Sequence, residues 1–367
     1  MKRREFVRKA GTGAAAGAIL AGCGSPAGEE GAAAVQTRPR VSWRLASSFP
    51  RSLDTIFGAA DVLAERISAL TDGRFTIRVF PAGELVPYDQ VLESVQKGTV
   101  ALGHTASYYY VGLNEALAFD CTVPFGLTAR QLNAWLYYGE GMELMRSLFA
   151  DFNIVNFPGG NTGVQMGGWF RRQINSLSDL RGLKMRIPGL GGKVMDAMGV
   201  TVQAIAGGEI YPALERGTID ATEWTGPYDD EKLGFYQVAN NYYYPGWWEP
   251  GPGLSFYVNR DAYEGLPSDY KNALAAAAAE ANVGMLSRYD ANNPAAMARL
   301  VERGVALRPF PGDIMGEARR IALELQQQTA ARDETYRRIF ESYTAWQALS
   351  NNWFATAEQS YTQFAFR

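Results

Sequence analysis

Cysteine and histidine are nearly missing from this 367-residue chain: Cys23, Cys121 and His104 are all there is. A single cysteine beyond the N-terminal region closes no internal disulfide, and no Cys/His set is available for a zinc site. Cys121, among Leu117, Ala118, Phe119, Val123 and Phe125, reads as a small buried hydrophobe, and the lone His104 as a core or hinge residue. Catalytic signatures are also lacking. No Gly-x-Ser-x-Gly elbow occurs, and Gly189-Leu-Gly-Gly-Lys193 lacks P-loop spacing and has Val194 where Ser or Thr would stand. No run of about 18 apolar residues crosses a membrane. With 35 basic and 38 acidic residues there is no basic excess, which excludes nucleic acid as a partner.

What is present begins with an export signal. Lys2, Arg3, Arg4, Arg8 and Lys9 precede a short Ala/Gly-rich apolar stretch, Ala10–Leu20. Arg3-Arg4-Glu5-Phe6-Val7 is similar to the twin-arginine motif. Leu20-Ala-Gly-Cys23 is similar to a lipoprotein processing box, which would leave a lipid anchor on Cys23; the alternative is ordinary cleavage within Ser25–Val35. Residues 1–22 hold five basic side chains and Glu5, so their removal takes the net charge from −3 to −7. The polar run Gly24–Arg38 reads as a flexible leader.

Beyond it the grammar is β-α-β. Val41–Phe49 alternates, Asp54–Leu70 has helical apolar spacing, and Arg74–Phe80 alternates again. Further strands are expected at Val100–Gly103, Ile154–Phe157, Gly163–Phe170, Lys184–Ile187, Val200–Ile205, Ile219–Trp224, Leu254–Val258 and Val305–Phe310. Helices are expected between them, including Tyr88–Lys97, Gly192–Met198 and Ile210–Arg216. Late in the chain an Ala-rich helix is expected over Ser268–Leu286, followed by a second over Pro294–Arg303. The last segment, Tyr336–Phe366, is helical and rich in Trp and Phe, which must pack across the molecule or against another protomer. Two segments share one pattern: Leu92–Val100 and Tyr211–Ile219 each run from a helix through a basic residue and Gly-Thr into a strand. This reads either as a common turn used twice or as two similar lobes meeting at a cleft.

Candidate ligand contacts fall at strand ends. Arg186 closes Lys184–Ile187 before Pro188-Gly189. A buried guanidinium needs an anion, either a ligand carboxylate or a structural acid. Gln165, flanked by glycines, has an amide that needs partners. Glu223-Trp224 closes another strand. The Glu223 carboxylate, a neighbouring backbone carbonyl and the Gln165 amide oxygen would form an oxygen shell for Na⁺ or Ca²⁺, with Glu249 as a further ligand. The competing reading of Glu223 is a salt bridge with Arg186 itself. Asp229-Asp230-Glu231 reads as a solvated loop face, with cation binding as the other reading.

Phe80-Pro-Ala-Gly-Glu84, Gln96-Lys-Gly-Thr-Val100, Leu180-Arg-Gly-Leu-Lys-Met-Arg-Ile-Pro188, and Arg216-Gly-Thr-Ile-Asp220 followed by Glu223-Trp224 occur in that order. On these motifs the chain resembles the periplasmic solute-binding subunits of TRAP transporters, over roughly residues 40–330. The resemblance implies that Arg186 forms the ion pair with a substrate carboxylate. Gln165, Glu223-Trp224 and Tyr244-Pro-Gly-Trp-Trp-Glu249 look most like the branch that binds 2-oxo or 2-hydroxy monocarboxylates with a metal ion. That likeness implies cation contacts for Gln165, Glu223 and the Trp224 carbonyl. Many sugar-acid-binding members carry Asn where this chain has Glu223, which argues against an acidic-sugar ligand. The branch includes proteins that dimerise by exchanging a C-terminal helix.

The sequence therefore implies an α/β, two-lobed periplasmic-binding-protein-like fold with a long C-terminal helical region. The expected division is a signal (1–23), a leader (24–39), a first lobe (40–160, with late-chain contributions), a second lobe (161–260) and a helical region (261–367). The expected function is capture of a small 2-oxo or 2-hydroxy carboxylate with Na⁺ or Ca²⁺ in the periplasm, without an organic cofactor, and delivery to TRAP permease subunits. Tyr108, Tyr109, Phe125 and Trp247 are expected as apolar walls and Phe49 at the mouth. The alternatives are an exported carboxylate-processing enzyme using Glu223 and a tyrosine, or a carboxylate sensor for a membrane receptor.

Overall fold

The computed structural model describes residues 38–366; the expectations for the export signal, the Cys23 anchor and the leader as far as residue 37 lie outside the described residues. The strands are β1 (Val41–Ser47), β2 (Phe75–Phe80), β3 (Leu102–Thr105), β4 (Ile154–Asn161), β5 (Trp169–Phe170), β6 (Lys184–Arg186), β7 (Thr201–Gln203), β8 (Ala221–Thr222), β9 (Asn241–Tyr244), β10 (Gly253–Asn259) and β11 (Ala306–Pro309). The helices are α1 (Gly58–Leu70), α2 (Val91–Gln96), α3 (Ala129–Tyr138), α4 (Gly141–Ala150), α5 (Gly189–Ala197), α6 (Gly207–Glu215), α7 (Pro227–Leu233), α8 (Arg260–Glu264), α9 (Ser268–Glu302), α10 (Gly312–Arg332), α11 (Glu334–Phe354) and α12 (Ser360–Ala365).

Two mixed sheets result, one of order β2-β1-β3-β10-β4 and one of order β11-β9-β5-β8-β6-β7. In the first, β1 pairs in parallel with β2 and β3, as a β-α-β unit requires. Helix α1 turns Ala59, Ala60, Leu63 and Ile67 inward at helical spacing and packs on β2 and α9. In the second sheet β6 lies in parallel between β8 and β7.

The repeated Gly-Thr segments are one turn built twice. Gly98 and Gly217 adopt φ of 70° and 71°, where a side chain is strained. The Thr99 and Thr218 amides reach back to Ser94 and Ala213 carbonyls at 2.9 Å in both cases. The first turn feeds β3 of one sheet and the second feeds β8 of the other.

Four expectations are corrected. Gly163–Gly168 is not strand; only Trp169–Phe170 is, because the preceding segment divides its backbone bonds among Glu249, Thr225 and Tyr243 instead of running along one neighbouring strand. Residues 254–258 do not join the second lobe: β10 runs antiparallel between β3 and β4 in the first sheet. Pro294 does not end a helix, since α9 continues for 35 residues. Packing on α1, β4 and α7 outweighs the one lost backbone bond. Asp229 and Asp230 are fully buried, not a solvated face. Neutral donors meet them: Tyr289 Oη on Asp229 at 2.6 Å, and Tyr242 Oη (2.6 Å) and Trp169 Nε1 (2.9 Å) on Asp230.

The C-terminal helices cover both sheets' surroundings. Helix α10 supplies Ile314, Ala318 and Ala322 to the hydrophobic cluster of the second sheet and packs on α5. Helix α11 buries Tyr336, Ile339 and Tyr343 in the larger cluster. Trp346 packs there too and donates its Nε1–H to the Gln131 carbonyl at 3.1 Å. Trp353, Tyr361, Phe364 and Phe366 remain exposed. Among the described residues no helix is long and apolar enough to cross a membrane.

Candidate functional site

Arg186 is the last residue of β6. Alternation along Lys184-Met185-Arg186 would be interrupted by its burial, yet it is only 2 % exposed. Its surroundings explain how that is tolerated. Nε donates to the Ile205 carbonyl at 3.2 Å, and Nη1 donates to the Glu223 carbonyl at 3.3 Å and forms an ion pair with Glu223 Oε1. The guanidinium also lies over the Trp224 ring, 5.1 Å from its centroid. The register Arg186↔Thr222 between β6 and β8 places Glu223 directly beyond the paired strand ends.

Gln165 reaches the same place from the unpaired stretch before β5. Its amide N–H donates to the Glu249 carbonyl (3.2 Å), its carbonyl accepts from Gly246 (2.8 Å), and the next amide, of Met166, donates to the Thr225 carbonyl (3.1 Å). Three segments distant in sequence are thereby sewn together by backbone bonds. The turn at Pro245-Gly246 allows this: a Cβ on Gly246 would lie 2.7 Å from both the Gln165 and Met166 oxygens.

The opposite wall comes from the first sheet's side. Phe49, Tyr108 and Tyr109 meet Gln165, Arg186 and Trp224 around an inner cavity of about 10 Å³, roughly one water in size. Cys121 lies on its wall too, buried as its apolar neighbours imply. Tyr108 and Tyr109 also face an outer cleft of about 350 Å³, shared with Tyr88, Pro188, Gly189 and Lys193. Tyr109 packs edge-on against Tyr88 (5.2 Å) and Tyr108 (5.0 Å), so the three phenols stand between cavity and cleft.

The electrostatics are unusual for a protein interior. Burial pushes the Glu223 carboxyl up to about 7, with Arg186 pulling the other way. Burial, then the Glu223 charge, push Glu249 well above the ordinary carboxylate range, opposed by Arg186 and the Tyr108 hydroxyl. Gln165 Oε1, Glu223 Oε2 and Glu249 Oε2 are buried and have no hydrogen-bond partner among the described residues. Gln165 uses only its Nε2, which donates to Thr162 Oγ1 at 3.0 Å. Such acceptors are costly unless something donates to or coordinates them. No cluster of three or more His, Cys, Asp or Glu side chains suited to a metal occurs among the described residues. Two carboxylates and an amide oxygen nevertheless match a hard cation such as Na⁺ or Ca²⁺, which accepts neutral oxygens, and do not match zinc.

Of the residues singled out from sequence, Arg186, Glu223, Trp224, Gln165, Glu249, Tyr108, Tyr109 and Phe49 are brought together. Phe49 stands inside the cavity, not at its mouth. Phe125 and Trp247 are not on this cavity. They stack on each other (centroids 5.2 Å, 14°) and line a separate groove, where the Phe125 amide is bonded to the Trp247 carbonyl and the Trp247 side chain is buried in the second sheet's hydrophobic cluster. Tyr88, Thr162 and Thr225 went unnoticed in the sequence. Only Tyr88, an aromatic just before a helix, carried a usable signal. His104 is a core residue between Phe49 and Phe256, and burial lowers its pKa to about 3, so its imidazole is neutral.

Comparison with known proteins agrees with this geometry. Residues 46–333 match the family described as bacterial extracellular solute-binding protein, family 7. The chain is 48 % identical over 366 residues to a monocarboxylate 2-oxoacid-binding periplasmic protein of Nostoc sp., covering 100 % of this chain and 99 % of that protein. A TRAP transporter solute-binding protein from Bordetella bronchiseptica superposes with a TM-score of 0.89 at 46 % identity, over 90 % of this chain and 98 % of that one; it is a dimer with copurified calcium and picolinate in one site. A TRAP periplasmic solute-binding protein from Pseudoalteromonas atlantica, with bound sodium and pyruvate, superposes with a TM-score of 0.86 at 40 % identity, over 88 % and 99 %. With a family match across most of its length, and a cleft in which a buried arginine faces unpaired oxygens, this chain belongs to family 7 of the bacterial extracellular solute-binding proteins, the solute receptors of TRAP transporters.

Proposed function

We propose that this protein traps a small 2-oxo or 2-hydroxy monocarboxylate together with Na⁺ or Ca²⁺ and presents it to the membrane permease subunits of a TRAP transporter. The observation that carries the reading is the buried Arg186 beside three unpaired buried oxygens, on Gln165, Glu223 and Glu249. The relatives with calcium and picolinate, or with sodium and pyruvate, support it.

In this reading the ligand carboxylate takes the Arg186 fork and displaces Glu223 from it. Glu223, freed, turns to the cation with Gln165, the Trp224 carbonyl and Glu249. The cation meets the ligand's carboxylate and 2-oxygen and lowers the cost of holding two acids in a dry cavity. Charge balance favours this: with both acids ionised, Arg186, a divalent cation and a monocarboxylate together neutralise the site. Na⁺ achieves the same balance when one acid, Glu249, keeps its proton. Tyr108, Tyr109 and Phe49 limit the length of the ligand's carbon chain. Binding, without turnover, is the proposed activity, and mass spectrometry of an incubated ligand should return it unchanged.

Titration calorimetry with pyruvate tests the reading. It should give tight binding with Ca²⁺ or Na⁺ present and a large loss in chelated, Na⁺-free buffer; affinity that ignores both cations sinks the metal role. Two lesser proposals accompany it. The protein works in the periplasm after twin-arginine export, soluble or tethered through Cys23. The exposed aromatics Trp353, Tyr361 and Phe366 are covered in a homodimer; a monomeric mass by light scattering for the full chain contradicts that.

A further inference from the structure

A second pocket, of about 100 Å³, lies outside the ligand cavity where α5, α10, α11 and the turn of 3₁₀ helix at Glu115–Asp120 meet. Its charged wall is Glu115, Lys193 and Arg332. Lys193 Nζ and an Arg332 Nη both reach Glu115 Oε1, at 3.0 and 2.8 Å. Two cations share one acid, so the lining holds one more positive than negative side chain. The rest of the lining is mixed: Leu190, Leu325 and Val194 give it an apolar side, and Gln326, Gln328 and Thr329 a polar one. At the pocket lies Tyr336, 1 % exposed, whose hydroxyl has no hydrogen-bond partner among the described residues. Glu115 and Arg332 both act on the ionisation of this phenol, which places its oxygen within their field.

A buried phenol O–H without an acceptor is a cost that a ligand oxygen removes. The Lys193 ammonium and the Arg332 guanidinium have further N–H donors beyond those spent on Glu115. The space suits roughly four to six heavy atoms, a few waters' worth. We propose that this pocket is a second binding site, for a small monocarboxylate with a short apolar tail: the carboxylate accepts from Lys193, Arg332 and the Tyr336 hydroxyl, and the tail lies on Leu190 and Leu325. The site is separate from the cation-assisted cavity around Arg186, though Lys193 also borders the outer cleft beside Tyr108 and Tyr109. Its occupant bridges α5, which directly follows the Arg186 strand, to the C-terminal helices.

Isobutyrate is a suitable probe, because it has the size and charge but no 2-oxygen with which to chelate a cation. Ligand-observed NMR titration of the full-length protein in excess EDTA should show it binding, and binding should persist in Arg186→Ala. Arg332→Gln and Lys193→Gln should each weaken it at least tenfold, and Tyr336→Phe about three- to tenfold, while Tyr336→Phe leaves the Ca²⁺-dependent affinity for pyruvate as in the wild type. No isobutyrate binding to the wild type overturns the proposal. So does binding that Arg186→Ala abolishes, which would mean the probe sits in the main cavity. Binding indifferent to Arg332 and Tyr336 also overturns it. Pyruvate titration of the wild type reports on the Arg186 site separately, so the two readings fail separately.

Discussion

Two sets of buried carboxylates differ in how they are satisfied. Asp120 accepts from Ser107 Oγ (2.5 Å), Ser255 Oγ (2.6 Å) and Asn156 Nδ2 (2.7 Å); Asp230 accepts from Tyr242, Trp169 and, at 3.3 Å, the Thr225 amide. Neutral donors surround both acids, and these donors tie strands and helices together. Glu223 and Glu249 are as deeply buried, but each keeps an oxygen without a donor, and the two face each other's charge. Asp229 stands between the sets, with Tyr289 on one oxygen and none on the other. Burial by itself therefore does not mark a functional acid. An unfilled acceptor beside a cavity and a buried cation does, because a folded protein rarely leaves such a cost in place unless a ligand relieves it.

Breaking the functional side of this comparison should have the largest effect. Arg186→Ala removes the buried guanidinium of the site and should lower pyruvate affinity by about 2–5 kcal/mol in calorimetry. A near-normal isotherm would place the carboxylate elsewhere. Glu223→Gln and Glu249→Gln should each reduce Ca²⁺ affinity at least tenfold, read by titration of chelated protein, because a hard divalent cation loses a charged ligand. If both variants bind Ca²⁺ normally, the unpaired oxygens have another purpose.

Breaking the structural side should act on stability instead. Asp120→Ala strands three donors and should cost about 1–3 kcal/mol in urea unfolding, with Ca²⁺-dependent binding retained in the folded fraction.

The smallest effect, and the finest distinction, is in pH. Glu223 holds its proton up to about 7 in the fold, against an ordinary 4.5. A cation must displace that proton, so Ca²⁺ affinity should weaken as pH falls from 8 to 5.5, with proton release on binding. Asp230 is also raised, from 3.8 to about 7, by burial. Between those values the folded chain holds a proton that the unfolded chain has lost, so this group's contribution to stability declines as pH rises from about 4 to 7. Asp230→Asn should flatten that slope in thermal unfolding; an unchanged slope assigns it to other groups. Saturating Ca²⁺ should remove the Glu223 contribution to the pH dependence and leave that of Asp230.

Much of the candidate site was legible before the fold was known. Arg186 before Pro188-Gly189, Gln165 between glycines and Glu223-Trp224 at a strand end each put a polar group where a core residue would be expected. The misreadings share a cause. Asp229-Asp230 resembled a solvated run because Tyr289, Tyr242 and Trp169, which cover them, lie 12 to 61 residues away. Phe125 and Trp247 were expected on the cavity because aromatic type is visible in sequence and ring direction is not.

Read alone, the chain specifies its local grammar: β-α-β order, the paired Gly-Thr turns whose glycines need a left-handed backbone, and the poverty of catalytic and zinc-binding residues. These depend on neighbours along the chain and on residue type. Packing between distant segments settles that α9 passes through Pro294 unbroken, that β10 crosses back into the first sheet, and that Gln165, Glu223 and Glu249 come to lie near Arg186 with buried, unpaired oxygens. Those outcomes depend on burial and on hydrogen bonds between distant segments, such as Gln165 to Glu249, 84 residues apart, and the pairing of Ser255 with Thr105. The energy of such contacts is not encoded in any one stretch of the chain.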